Sequence, residues 1–354
     1  KDMKKNNVIF SIFSLLMVAG IVFFMSCTTE GPEGPMGPAG VDGINGTDGT
    51  DGVDGNAVCL TCHNLANKAA KETEYEKSQH AEAEFVGYAG GRQGCAMCHS
   101  HEGMLESLMN GGDTTNSTAG IAYPTAISCA TCHDFHATLD FENDGDDYAL
   151  RNDGPIDFLM ARADGGSEIA DFGAGNNTCV KCHQPRRSGP VADANDSFFV
   201  SSTHWGPHHG PQANTVYGWG MVEVAGAEAY PTKGSHAHFK SAGCVGCHMA
   251  TATGDDGGHT FWPNLDNCKK CHSSATSFDY KGIQTDVMAL LDQIEVKLEA
   301  IGVVHDGHPV KGTYHIDAAN AAYNWIWLSP EDKSFGVHNP DYILAVLKNT
   351  LATL

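Results

Sequence analysis

Basic side chains are scarce in this sequence: 21 lysines and arginines stand against 43 aspartates and glutamates, a formal charge of −22. Phosphate backbones and anionic lipid surfaces both need clustered cations, so the balance argues against nucleic acid and against membrane docking by a basic patch. Long apolar runs are nearly absent as well. The one that occurs is N-terminal, and with 41% hydrophobic residues the chain is neither polytopic nor wholly disordered. Strand-like alternation never persists, so few strands are expected. There is no Ser-His-Asp elbow, phosphate loop or nucleotide fingerprint. The 354 residues suffice for a sizeable core in one large domain or two ordinary ones.

Cysteine and histidine are abundant, at 13 and 19 residues. Twelve of the cysteines form six Cys-x-x-Cys pairs, each followed directly by histidine: Cys59/Cys62/His63, Cys95/Cys98/His99, Cys129/Cys132/His133, Cys179/Cys182/His183, Cys244/Cys247/His248 and Cys268/Cys271/His272. Zinc clusters, thioredoxin-like pairs and disulfides use paired cysteines too, but none requires histidine at the fifth position every time. Covalent c-type haem does: two thiols add to the two vinyl groups of one porphyrin and the adjoining imidazole ligates the iron. Six haems, each with an iron, are the expected cofactors.

The unpaired Cys27 belongs to a different device. Lys1 and Asp2 read as upstream carry-over before Met3, Lys4 and Lys5 form a positive n-region, and Val8–Met25 is uncharged and mainly apolar. This is a secretory signal ending in Phe24-Met25-Ser26-Cys27, which resembles a bacterial lipobox over residues 1–27; the alternative is an uncleaved membrane helix. Lipidation at Cys27 would anchor the exported chain, and Thr28 in place of an inner-membrane retention aspartate favours an outer-membrane lipoprotein, periplasmic or surface-facing. Within residues 28–56, glycine recurs every third position from Gly31 to Gly55. This collagen-like linker is either a trimeric stalk or, with so few imino acids, an acidic spacer of roughly 75 Å.

Residues 57–354 are expected to form one hexahaem domain, mainly α with much irregular structure, compact around its six haems and closed by long C-terminal helices. Motif separations of 36, 34, 50, 65 and 24 residues force the porphyrins into one group. Helices are predicted over Asn64–Gln79, Met104–Met109, Ile283–Ile301, Asp317–Leu328 and Pro340–Leu351. The Ile283–Ile301 stripe at spacing three and four reads as core or as a homodimer seam. Asn339 and Pro340 form a cap and first-turn pair.

Thirteen histidines remain outside the motifs, more than enough to close six irons from the distal side. Gly234-Ser-His236, Cys244-Val-Gly-Cys247-His248-Met249, Gly258-His259 and Cys268-Lys-Lys-Cys271-His272 follow one another in an order that resembles the C-terminal two-haem segment of pentahaem cytochrome c nitrite reductase and its multihaem relatives. Gly336-Val337-His338-Asn339-Pro340 resembles that family's distal-ligand element before the final helix. Cys132-His133-Asp134-Phe135-His136 resembles an arrangement whose second histidine crosses to a neighbouring haem, and His208-His209-Gly210-Pro211-Gln212 an element of other exported multihaem cytochromes. By these matches His80, His136, His208, His236, His259 and His338 are the implied distal metal ligands, with their pairing unreadable. The resemblance also implies stacked, closely spaced haems.

The departures bear on function. The reductases usually carry their open haem on Cys-x-x-Cys-Lys, which this chain lacks, and they have five sites, not six. The expectation is therefore electron transfer in anaerobic or extracellular respiration, with no catalytic residue and with other cytochromes as redox partners. A basic partner would suit the acidic surface. Two alternatives are a reductase of nitrite, hydroxylamine or a sulfur oxyanion, and a subunit of a conductive filament. A substrate pocket for the first would draw on Arg186, Arg187, His204, His209 and Tyr217, although paired arginines also suit haem propionates.

Overall fold

Where the chain leaves a capped turn with an apolar stripe it forms a helix, and most of the ordered backbone arises this way. The structure, a computed structural model, describes residues 57–111, 120–136 and 148–354. The signal segment, Cys27 and the Gly-x-y repeat lie outside the described residues. The longer helices are α1 (Ala57–His63), α2 (Leu65–Tyr75), α3 (His101–Met109), α4 (Ala174–Val180), α5 (Gln212–Tyr217), α6 (Leu265–Cys271), α7 (Ile283–Ile301), α8 (Ile316–Ile326) and α9 (Pro340–Thr353). The fold is mainly helical with long C-terminal helices.

Capping explains several boundaries. The Asn64 side chain accepts from the Asn67 N–H at 2.8 Å, opening α2. That helix ends at Tyr75, short of the predicted Gln79, because Ser78 caps a separate turn, Gln79–Glu82. Ser100 accepts from Gly103 N at 3.2 Å and starts α3 three residues before the predicted Met104. Helix α7 has the predicted bounds, and Gly302 ends it at φ 81°, a left-handed stop that favours glycine. After α8 the helix widens into a π-turn over Trp327–Asp332 that accommodates Pro330, whose nitrogen has no proton to donate.

Among the described residues six short strands pair into three two-stranded antiparallel ribbons: β1 (Ile156–Asp157) with β2 (Ile169–Ala170), β3 (Ser197–Val200) with β6 (Gly312–His315), and β4 (Val304–His305) with β5 (His308–Pro309). The β3–β6 ribbon aligns Ser197 with His315 and Val200 with Gly312, tying the middle of the chain to the start of α8.

The apolar core is lopsided. Val287, Leu291, Ile294 and Leu298 of α7 are buried with Tyr323, Ile326, Trp327, Tyr342, Ile343, Val346 and Leu347 from α8, its π-turn and α9. The α7 stripe is thus core, and its burial stabilises the helix more than propensity does. Trp327 Nε1 and the Asn324 amide find partners inside this core: Trp327 Nε1 donates to Thr215 Oγ1 at 2.8 Å, and the Asn324 amide accepts from Val222 N and donates to Val222 O, while Trp325 Nε1 and the Tyr342 hydroxyl are buried without a hydrogen-bond partner. No Cys-x-x-Cys-His motif falls after residue 272. Where three motifs crowd into residues 57–136, the buried hydrophobics among the described residues are Ala89, Ala96, Met97 and Met104. Helix α2 there buries none of its residues. Side chains alone do not supply a core to this half of the fold.

Candidate metal centres

Each motif folds as one helical turn. The N–H of His99, His133, His183, His248 and His272 donates to the carbonyl of the first cysteine of its own motif, at 3.2, 2.9, 3.0, 2.9 and 2.7 Å. Motif one lies wholly within α1. Positions i, i+3 and i+4 share one helix face, so two thiols and one imidazole project together. No disulfide joins the twelve motif cysteines, and among the described residues no group of three or more His, Cys, Asp or Glu converges on a bare-ion site.

A second imidazole faces five of the six motif histidines. Ring centroids are 5.9 Å apart for His63–His136, 6.1 Å for His80–His183, 6.3 Å for His133–His259, 6.1 Å for His238–His272 and 6.4 Å for His248–His338. A metal between two imidazole nitrogens, with bonds of about 2 Å and each nitrogen about 1.1 Å from its ring centre, sets centroids about 6.3 Å apart. These pairs have that spacing.

Hydrogen bonds then select the ligating tautomer. His133 Nδ1 meets Tyr148 O at 2.7 Å, His248 Nδ1 meets Phe261 O at 2.8 Å, His238 Nδ1 meets Val337 O at 2.8 Å and His338 Nδ1 meets an Asp332 carboxylate oxygen at 2.7 Å. Each acceptor requires the proton on Nδ1, which leaves Nε2 with its lone pair free for a metal. Gln212 does the same for His183 more weakly, at 3.4 Å, with its amide orientation set by donation to Glu331 O. Burial pushes His80 down to about 4 and also lowers His238 and His248, keeping these rings in the neutral form a metal requires. The donor set fits haem iron.

The motifs are neighbours in space out of chain order. Cys98 lies beside Cys182, and Cys179 beside Cys244. Cys132 lies within electrostatic reach of Cys179, and Cys247 within reach of Cys268 and Cys271. The fourth motif therefore lies near the second, third and fifth, and the fifth near the sixth. Facing histidines cross-link the same network: His80, just after motif one, faces motif four, and His136, just after motif three, faces motif one.

Motif one is the most open of the six. Its second thiol, Cys62, is exposed, as is His63, and Cys59 is only half-buried. Cys98, Cys179, Cys182 and Cys244 each lie beside a cysteine of another motif. The physical reason is local. Helix α1 runs into α2, which buries no residue, and the apolar Leu60 and Leu65 beside the motif are themselves exposed. Cys129 and Cys271 are exposed too, but each lies within electrostatic reach of a neighbour, Tyr75 and Cys247 respectively. The helical turn thus presents Cys62 correctly beside Cys59 and His63, while its wider surroundings are open to solvent.

Motif two differs in another way. His99 has no facing imidazole at this spacing among the described residues; the ring 6.3 Å away is Phe85. Beside it a small open cavity is lined by Cys95, Cys98, His99, Cys182, Arg186, His208 and His209. His208 has φ 70°, a left-handed conformation that is uncommon outside glycine. Burial and Arg186 lower its pKa to about 3. Arg186 donates to Gly94 O at 2.7 Å, while its Nε is buried without a hydrogen-bond partner. His209 Nδ1 meets Glu331 at 2.6 Å, and this hydrogen bond raises its pKa. Of the substrate pocket expected from sequence, Arg186 and His209 line the cavity, and Arg187 and His204 do not. Tyr217 is elsewhere, its hydroxyl donating to Glu168 at 3.1 Å.

The predicted distal histidines are thus found facing motif residues at His80, His136, His259 and His338, with His208 in the motif-two cavity. His236 is not: the ring facing His272 is that of His238. The backbone N–H of His238 donates to His236 Nδ1 at 3.2 Å, and the two rings meet edge to face at 4.7 Å. Glu74 and Asp332 carry no sequence signal, and Gln212 is marked only as the last residue of the His208–Gln212 element. Glu74 accepts from the His259 backbone N–H at 2.9 Å, across 185 residues of chain.

No protein-family model matches the chain, and neither does any curated protein. Two solved structures align with it. The outer cell wall cytochrome OcwA does so with a TM-score of 0.50 at 20% identity, over 80% of this chain and 50% of that one. Cytochrome c nitrite reductase from Desulfovibrio desulfuricans aligns with a TM-score of 0.36 at 15% identity, over 73% of this chain and 63% of that one. This chain spans about half the length of OcwA. The fold is cytochrome-like, distantly similar to that of c-type cytochromes.

Proposed function

We propose that this chain is an electron carrier that binds six haems covalently at its Cys-x-x-Cys-His motifs. The observation that carries this reading is the set of five facing imidazole pairs at 5.9–6.4 Å. Bound haem iron supplies one-electron exchange with little rearrangement while both axial positions are filled. The protein's part is to hold those positions. His63, His99, His133, His183, His248 and His272 serve as proximal ligands, and His136, His80, His259, His338 and His238 as distal ligands to the first, fourth, third, fifth and sixth sites. Nδ1 acceptors orient the rings, and cysteines of different motifs lie side by side at neighbouring sites, with the fourth motif as the branch point.

On this reading the exported chain is tethered by lipid at Cys27 and faces the periplasm or the cell surface. The resemblance to an outer cell wall cytochrome supports a surface location. Its net charge of −22 favours a basic redox partner by steering.

The motif-two cavity favours a second reading, reduction of a small nitrogen or sulfur oxyanion. His99 lacks a facing ring at the spacing of the other pairs, and Arg186 and His209 are placed to hold an anion. The alternative at this site is closure by His208. Electron paramagnetic resonance of the oxidised protein, before and after nitrite or hydroxylamine, decides. Six low-spin signals unmoved by ligand support the carrier with His208 as sixth distal ligand. One high-spin signal in six that shifts with nitrite, with turnover from a reduced dye, supports the reductase.

A further inference from the structure

Of the hydrogen bonds that orient the facing imidazoles, one is unlike the rest. His133, His238 and His248 donate to backbone carbonyls, and His183 reaches a glutamine amide. His338 donates to a carboxylate, that of Asp332, at 2.7 Å. The Asp332 side chain has no solvent exposure, so water does not dilute the interaction. Its other oxygen accepts from the Ser334 N–H at 3.2 Å and from the Ser334 hydroxyl. All these contacts are donors to Asp332, the pattern of an ionised, acceptor-only carboxylate.

The surrounding loop is built to make this contact. Lys333, Phe335 and Gly336 all have positive φ, at 57°, 48° and 101°, which turns the chain back so that Asp332 and His338 meet across six residues. A Cβ on Gly336 would come within 2.8 Å of Ile283 and 2.9 Å of Val287 in α7, so the turn is pressed against the core. Asn339, next to His338, donates to Val216 O and caps α9.

A carboxylate accepting the Nδ1 proton raises the electron density at Nε2 and makes the imidazole a stronger donor to a metal. A stronger axial donor stabilises ferric over ferrous iron, and hydrogen bonding around the ligands is one of the means by which a protein sets haem potential. We propose that Asp332 is a potential-setting residue, lowering through His338 the reduction potential of the haem attached at Cys244 and Cys247. The proposal rests on the six-haem reading above. The fifth motif lies beside the fourth at Cys244 and Cys179, so Asp332 sets the driving force across the branch point of the network.

The test is a spectroelectrochemical titration of full-length, haem-loaded protein, with haem counted by intact mass beforehand. In Asp332→Asn, one sixth of the reduction amplitude moves to higher potential, the other five sixths stay in place, and one low-spin resonance signal shifts. Asp332→Glu, which keeps the charge, restores part of the lower potential. Ser334→Ala removes a competing donor from the carboxylate and moves the same sixth downward; it decides the matter if Asp332→Asn loses its fifth haem. Variants with six haems whose titrations superimpose on the parent overturn the role of Asp332. A parent with fewer than six haems overturns the underlying reading instead.

Discussion

Replacing His238 and His236 one at a time separates the geometry of the sixth site from the motif resemblance that points to His236. The two residues lie two positions apart, and their rings meet edge to face at 4.7 Å. Only His238 faces His272, at 6.1 Å, and its Nδ1 proton is committed to Val337 O at 2.8 Å. His236 cannot take over in His238→Ala. Residues i and i+2 point to different sides of a turn, and His236 Nδ1 accepts a backbone hydrogen bond at 3.2 Å. His238→Ala should therefore convert one of six haems, about 17% of the iron, from low-spin to high-spin, while all six stay covalently attached because no thiol is touched. His236→Ala should leave all of the iron low-spin. Electron paramagnetic resonance of the ferric proteins, with haem counted by mass, reads both outcomes. High-spin iron in His236→Ala together with a fully low-spin His238→Ala would refute the reasoning.

Other outcomes follow from the same structure. Intact mass should exceed that of the apo-polypeptide by about 3.7 kDa, from six haems of roughly 0.6 kDa each, and elemental analysis should find iron, not zinc; four haems or fewer would contradict the assignment. Leu298→Ala, in the fully buried α7 stripe, should destabilise the fold by about 3–5 kcal/mol, seen as a lowered thermal midpoint by circular dichroism, whereas Val296→Ala on the exposed face should stay within about 0.5 kcal/mol. Equal shifts in the two would place the stripe outside the core. Cys27→Ala should release the protein from the membrane fraction or leave it unprocessed, and normal processing with unchanged detergent-resistant partition would show that Cys27 carries no lipid.

Local rules carried far in this chain. The Cys-x-x-Cys-His repeats are legible because their chemistry needs three side chains on one helical turn, which five contiguous residues supply. The bounds of α7 are legible for a similar reason: a stripe at spacing three and four ended by Gly302 depends on neighbours within a turn or two. What faces each motif is a contact across the chain, and periodicity is silent about it. His80 meets His183 over a separation of 103 residues, and Glu74 meets His259 over 185. The exposure of Cys62 was equally hidden, because the motif is the same five residues whether or not a core lies beside it. The choice of His238 over His236 turns on which Nδ1 finds a carbonyl, and that carbonyl belongs to Val337. The order of residues is enough to say how many metal centres to expect and which thiols and imidazoles begin them. Their pairing, their branched adjacency and the separate character of the motif-two cavity come from the folded chain, because each depends on segments that meet only when the C-terminal core folds against a half with little core of its own.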